Sequence, residues 1–321
     1  PAASLATTQW AESQGYDGVW FADTGDSDAL TLAAAVASHT EHIRIGTAII
    51  PVYTRTPAVL ACSATTLSHL APGRFVLGLG ASSHTMIEGW HGLPFEKPLT
   101  RMRETTQIVR SLLAGEKSAF QGDTLRSQGY TLSPTPKAPV PIYLAALRGK
   151  MLELAGEMGD GVIVNLFPLP ALPQILKHVG IGAVRADRDP ATLEVVCRFQ
   201  VLITDGGSAE QAAARTLFRQ RFAPYYATPV YNRFLAWCGY EDVAATIREG
   251  WAEKDRAKTT GALEDTLIDE IAVIGSADEC RDRVRAYQDA GVTTAVVSSF
   301  AGTADASRAV YEAFTPARFA V

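Results

Sequence analysis

Apolar residues along this chain come in short continuous runs, and each run is followed by a longer stretch with helical spacing. DGVWFA (17–22), IRIGTAI (43–49), RFVLGLG (74–80), VPIYLAAL (140–147), GVIVN (161–165), LEVVCRFQVLI (193–203), IAVIG (271–275) and TTAVVSSF (293–300) read as buried strands. Helical patterns occupy 3–14, 28–40, 57–70, 99–115, 149–158, 277–291 and the C-terminal end, with Pro57 suited to a first turn. Strands apolar on both faces and alternating with helices imply a parallel sheet covered on two sides. Seven or eight such units favour an α/β fold of the (β/α)8 type over an open sheet. The chain is expected to form one domain over 1–321. Two segments interrupt the repeat: AFQGDTLRSQGYTL (119–132) alternates like a hairpin, and 208–270 is mostly helical. Because the pattern opens on a helix, the first barrel strand is expected to be missing from this sequence.

The strand GRFVLGLGASS (73–83) places Arg74, Val76, Gly78 and Gly80 on one face, so that this face shrinks to hydrogen atoms at its end. Glycine inside a strand marks the close approach of a backbone or a ligand. GLGASS is one residue short of G-x-G-x-x-G, since Ser83 stands at the third glycine, and the following TRMRETTQ is helical where a Rossmann unit would close a strand on an acidic residue.

Bulk properties narrow the partners. The chain has 321 residues, 47% hydrophobic and 20% charged, with net charge −5, which suits a globular protein and argues against a nucleic-acid surface. No run reaches the roughly 18 to 20 apolar residues of a bilayer span, and a basic signal-peptide start is lacking. Cys62, Cys197, Cys238 and Cys280 form no C-x-x-C pair, so each is expected to be a small buried hydrophobe in a reducing, cytoplasmic compartment.

In such folds ligands sit beyond the carboxyl ends of the strands. Those tips are Asp23-Thr24, Ala48-Ile49-Ile50, Ala81-Ser82-Ser83-His84, Ala146 to Lys150, Asn165-Leu166-Phe167 and Ser298-Ser299. They are small or apolar, which suits a flat hydrophobic ligand. LRGKM (147–151) opens a helix whose free N–H groups, beside Arg148 and Lys150, make a phosphate site. Asp23, Glu88 and His91 are the candidate catalytic groups. Against those roles stand helix capping for Asp23 and fixing of the loop around Trp90 for the other two. Tyr53 and Arg55 are placed to line the mouth, although Arg55 equally suits an ion pair. A G-x-S-x-G elbow is absent, and His84 and His91 lack a metal-binding spacing, so no metal is expected.

The stretch 46–82, with Thr54, Arg55, Pro57 and Ala58 followed by Gly73 to Gly80, resembles the luciferase-like monooxygenase superfamily. Within it the chain is most similar to the coenzyme F420-dependent oxidoreductases that include methylene-tetrahydromethanopterin reductase. Segments 142–165 and 271–297 continue the likeness over nearly the whole chain. The resemblance implies a bacterial luciferase-like TIM barrel with insertions. It also implies a non-proline cis peptide at Ala48–Ile49 that pushes a bulge against the cofactor ring, and phosphate contacts at Arg148, Gly149 and Lys150. The implied cofactor-binding set is Thr47, Ala48, Ile49, Gly80, Ser82, Ser83, Ala146, Arg148, Gly149 and Lys150, with Gly78 and Gly80 leaving room for the ligand. The cofactor expected is F420, with FMN as the alternative. Hydride transfer to or from a small organic substrate is the expected activity. A flavin monooxygenase using oxygen is the alternative, and a barrel that binds without turnover is the third option. Sugar-phosphate dehydrogenases of the family carry Asp-His where this chain has Asp23-Thr24, and a glutamate where it has Ser83, so their acid–base apparatus is not expected. Loops 84–98 and 204–270 are expected to choose the substrate, and the resemblance also implies a homodimer.

Overall fold

The computed structural model describes residues 2–25, 27–204 and 207–319. Residues 205 and 206, part of one segment expected to choose substrate, lie outside them. The chain divides into two compact units, the first comprising 1–163 and 178–194, the second 164–177 and 195–321.

The first unit runs α1 (Ala2–Ser13), β1 (Gly18–Phe21), α2 (Ala29–Ala37), β2 (Arg44–Thr47), β3 (Ile50–Pro51), α3 (Pro57–Leu70), β4 (Phe75–Gly80) and α4 (Pro98–Leu113). It continues through the antiparallel hairpin β5 (Ala119–Gln121) and β6 (Arg126–Gln128), then β7 (Ile142–Ala145), α5 (Gly149–Met158) and β8 (Gly161–Asn165). Parallel pairing links β1 to β2, β2 and β3 to β4, β4 to β7, and β7 to β8. All six residues of β4 are buried, as expected for a strand covered on both faces. Helix starts follow the local chemistry: Asp28 and Thr56 cap α2 and α3 through the amides of Thr31 and Val59, and Pro57 fills the first turn of α3.

The amino-terminal ends of these strands are plugged by side chains. Arg44 donates to both carboxylate oxygens of Glu194 (2.9 and 2.8 Å) and to the Tyr143 hydroxyl (2.7 Å). Its guanidinium also lies over the Trp20 and Tyr143 rings. Gly46 is required beside them, since a Cβ there would meet the Trp20 ring at 2.3 Å. Hence the first unit keeps its chemistry at the carboxyl ends.

In the second unit, α6 (Leu172–Arg185, divided between the units) precedes β9 (Glu194–Ile203). Five helices follow: α7 (Ser208–Ala227), α8 (Pro229–Trp237), α9 (Glu241–Ala252), α10 (Arg256–Gly261) and α11 (Asp265–Ile271). The unit ends with β10 (Val273–Gly275), α12 (Ala277–Asp289), β11 (Thr294–Ser299), α13 (Ala304–Ala313) and α14 (Pro316–Phe319). β10 and β11 flank β9 in parallel. The helical block packs its own core around Phe218, Phe222, Tyr226, Leu235, Ile247 and Phe300.

Four details depart from the pattern-based expectation. The strand expected over 43–49 is broken into β2 and β3, and the one expected over 271–275 yields its first residue to α11. A π-helical turn spans Thr85–Trp90, where only a loop was expected. Cys62 is exposed on α3 rather than buried, with its sulfur 2.8 Å from the Tyr130 hydroxyl.

Candidate active site

The break between β2 and β3 comes from one extra residue. Gly46 pairs with Val76 and Ile50 with Leu79, so four steps on one strand face three on its neighbour. The surplus lies at Thr47-Ala48-Ile49, and the Ala48–Ile49 peptide is cis, as the resemblance implied. Each backbone group freed by the bulge finds a partner. The Ala48 amide donates to Phe21 O (2.6 Å), Ile49 O accepts from the Asp23 amide (3.2 Å), and the Val52 amide donates to Gly80 O (2.9 Å). Fully buried Thr47 completes the repair, because its hydroxyl accepts from the Gly78 amide (2.8 Å) and donates to the Gly78 carbonyl (3.0 Å).

The two glycines therefore serve the bulge, and the expectation that they leave room for a ligand is corrected. A Cβ on Gly78 would lie 1.7 Å from the Thr47 carbonyl oxygen, and one on Gly80 would lie 2.5 Å from the Ile49 side chain. At the bulge itself Ala48 and Ile49 are only half-buried.

Beyond β4 the chain turns sharply, with Ser82 in the left-handed region at φ 66°. The Ser82 hydroxyl donates to the Met86 sulfur (3.1 Å) and Ser83 Oγ accepts from the Met86 amide (3.4 Å), so both serines brace the π-helical turn. Glu88 accepts from the Phe95 amide (3.2 Å) and thereby closes the 88–95 loop, while His91 is exposed on that loop. An aromatic wall stands behind it. Phe95 packs against Tyr53 (5.1 Å) and edge-on to His84 (4.3 Å), and the Tyr53 hydroxyl donates to Glu96 O (2.6 Å). Burial pushes the Tyr53 phenol up to about 12, so it stays a donor at neutral pH. Nδ1 of His84 is buried without a hydrogen-bond partner among the described residues. Sequence reasoning passed over His84 once metal spacing had been excluded, although its place one residue beyond Ser83 was the available signal.

Asp23 is held from two sides. Its carboxylate accepts from the Ala29 amide (2.8 Å) and pairs with Arg55, which also pairs with Asp28. Against burial, the Thr31 amide and hydroxyl and then Arg55 hold the Asp28 carboxyl below its ordinary value. Asp23 thus works as a cap and ion-pair partner, and Arg55 ties the β1–α2 loop to the start of α3.

At the β7 tip, buried Ala146 donates to Ile163 O (3.1 Å), and α5 then opens on Arg148 in extended conformation and Gly149 at φ 42°. The Arg148 side chain does not bond back onto the first-turn amides, and nothing lies within 4 Å of a Cβ built on Gly149. Open space therefore lies over Gly149 at the helix start, while the Met151 amide donates to Arg148 O (3.2 Å). Exposed Lys150, in this first turn, bonds Glu153 (3.1 Å), a buried carboxylate that also receives Arg185 (2.7 Å) and His178 (3.4 Å). Arg185, then Lys150, hold the Glu153 carboxyl down at about 2. A phosphate fits the uncapped amides, and a flat ring fits the half-buried bulge with Ile49 beneath it. The expected cofactor set thus lies on strand tips of the first unit. Its catalytic candidates are spread over two loops, and two of the three are engaged in holding those loops.

Comparisons with known proteins establish the family and the fold. The family model described as luciferase-like monooxygenase matches residues 1–294. The 5,10-methylenetetrahydromethanopterin reductase of Methanolobus tindarius is 30% identical, over 90% of this chain and 87% of its own length. The F420-dependent tetrahydromethanopterin reductase structure from Methanopyrus kandleri superposes with a TM-score of 0.81 at 22% identity, covering 98% of this chain and 94% of that one. An F420-dependent secondary alcohol dehydrogenase, solved with an F420–acetone adduct, also gives 0.81, at 19% identity and 99% and 95% coverage. These structural likenesses establish the luciferase-like (β/α)8 fold with insertions. Among the described residues no helix is long and apolar enough to cross a membrane. With its model matched over most of its length, the chain belongs to the luciferase-like monooxygenase family.

Proposed function

We propose that the chain is an oxidoreductase that moves a hydride between coenzyme F420 and a small organic substrate. The observation that carries this is the amino terminus of α5: uncapped amides at Gly149 and Lys150, a glycine with open space above it, and a lysine at the rim. Such a helix start suits a phosphate, and the resemblance implies the cofactor's phosphate contacts there. The F420-dependent relatives support the choice of deazaflavin.

When bound, the cofactor supplies the hydride. The protein's part is positional. Thr47, Ala48 and Ile49 present a braced surface to the ring, Arg148, Gly149 and Lys150 hold the phosphate, and Ser82 and Ser83 keep the turn beside it in place. Asp23 and Glu88 fix their loops, which leaves exposed His91 as the acid–base candidate among the three. Cytoplasmic location and a homodimer belong to the same proposal, through the family likeness.

The family's monooxygenases favour a second possibility, in which FMN takes the same cradle and oxygen is a substrate. Parallel fluorescence titrations with F420 and FMN separate the two. Tight F420 binding and weak FMN binding support the proposal. The reverse moves the case to a flavin monooxygenase, and failure of both overturns it.

A further inference from the structure

The second unit contains an arginine that no acidic side chain pairs with among the described residues. Arg198 sits in the middle of β9, and among the described residues no carboxylate pairs with it. Its one hydrogen bond among those residues goes to the Ser298 hydroxyl of neighbouring β11 (3.0 Å). Phe199, next along the strand, packs against Tyr287 of α12, so Arg198 points to the other face of the sheet. A half-buried guanidinium without a counter-charge is costly unless something anionic completes it.

Its surroundings are polar and specifically arranged. Tyr231 of α8 lies within electrostatic reach of Arg198 and receives a hydrogen bond from the Asn165 carboxamide (3.3 Å). The carboxamide oxygen of Asn165 is buried and has no donor among the described residues. Leu166, the next residue, is buried in the left-handed region at φ 53°, with its carbonyl held by the Tyr226 hydroxyl (3.1 Å). A leucine held in that conformation at a strand tip fixes the direction in which Asn165 projects. Tyr225 and Tyr226 pack edge-on against Tyr231, which keeps an aromatic group beside the cluster.

We propose that Arg198, Tyr231 and Asn165 form a binding site for a small hydroxy acid. Arg198 and the Tyr231 hydroxyl receive its carboxylate, Asn165 Oδ1 accepts from its hydroxyl, and the tyrosines favour an aryl body. The ligand's carboxylate supplies the counter-charge that Arg198 lacks among the described residues, and its hydroxyl supplies the donor that Asn165 Oδ1 lacks there. The site is independent of which cofactor the first unit takes.

The test is calorimetric titration of the full chain with mandelate, with phenylacetate (the same acid without its hydroxyl) and with inorganic phosphate. Mandelate is expected to bind, and phenylacetate several-fold more weakly. Arg198→Met should weaken mandelate by about tenfold or more, as loss of a charged hydrogen bond does, with part of the affinity restored in Arg198→Lys. Should Arg198→Met fail to fold, Tyr231→Phe keeps the ring contacts and should still cost several-fold. Unchanged mandelate affinity in a folded Arg198→Met or Tyr231→Phe variant overturns the proposal. So does phosphate binding more tightly than mandelate, or no mandelate binding by the wild-type chain. F420 titrations run alongside keep the two proposals apart. Arg198-dependent mandelate binding by a chain that binds neither F420 nor FMN upholds this site while the cofactor proposal fails. A variant that loses F420 but keeps mandelate assigns Arg198 to the cofactor and overturns the hydroxy-acid site.

Discussion

Thr47 shows how a single hydroxyl can hold a local irregularity. The bulge takes Gly78 out of the ordinary ladder, and Thr47 Oγ1 answers both its amide and its carbonyl. Thr47→Val keeps the shape and removes both bonds. It should cost about 2 kcal/mol in denaturant unfolding, whereas Thr47→Ser should cost well under that; equal losses would mean that the methyl group matters more than the hydroxyl. The glycines opposite respond differently from each other. A Cβ on Gly78 meets backbone at 1.7 Å, which cannot yield, while one on Gly80 meets the movable side chain of Ile49 at 2.5 Å. Gly78→Ala should therefore be the more destabilising, by more than about 3 kcal/mol, and Ile49→Ala should rescue Gly80→Ala alone. A double-mutant cycle in which Ile49→Ala rescues Gly78→Ala equally would contradict this. The glycine pattern in GRFVLGLG was legible as a close approach. What approached was not, because a strand's own sequence does not reveal an extra residue in its neighbour.

Elements were the most legible scale, and the reasons differ from one to the next. α3 and β8 fall on 57–70 and 161–165 as expected, since Thr56-Pro57 marks one start and an apolar run bounded by Gly161 and Asn165 marks the other. The π-helical turn at 85–90 left no trace in the pattern, because its bracing comes from Ser82, Ser83 and Phe95 rather than from apolar spacing. The candidate phosphate site was legible as LRGKM, but the carboxylate that Lys150 bonds was not. Glu153 reads as one more acidic helix position, and only packing of α5 on α6 brings Arg185 and His178 to it. That hub predicts a specific acid sensitivity. Glu153 ionises at about 2 in the folded protein, well below its ordinary value of 4.5. Its depressed value stabilises the fold fully above pH of about 4.5 and progressively less as pH falls toward 2, a contribution of about 3 kcal/mol. Stability measured down that range should fall less steeply in Glu153→Gln than in the parent chain. Parallel slopes would show that the hub does not carry the acid transition.

At the scale of the whole molecule, the two units divide the chemistry in a way that ligand linkage can expose. The candidate cofactor residues, from Thr47 to Lys150, belong to the first unit, and the Arg198 cluster belongs to the second. A ligand that binds only the folded state stabilises it by about 2.7 kcal/mol at a hundredfold excess over its Kd. Locally, the same free energy appears as slower amide exchange around the groups that hold the ligand. F420 should therefore slow exchange most in peptides covering 46–52, 80–86 and 146–152, where the bulge, the serine turn and the uncapped α5 amides lie. Mandelate should slow it most around 163–167, 196–200 and 228–233, which hold Asn165, Arg198 and Tyr231. Two disjoint patterns in exchange mass spectrometry would assign a separate ligand to each unit. If F420 instead protects the segments around Arg198 as strongly as those around Gly149, Arg198 serves the cofactor's acidic tail, and the hydroxy-acid site falls while hydride transfer stands.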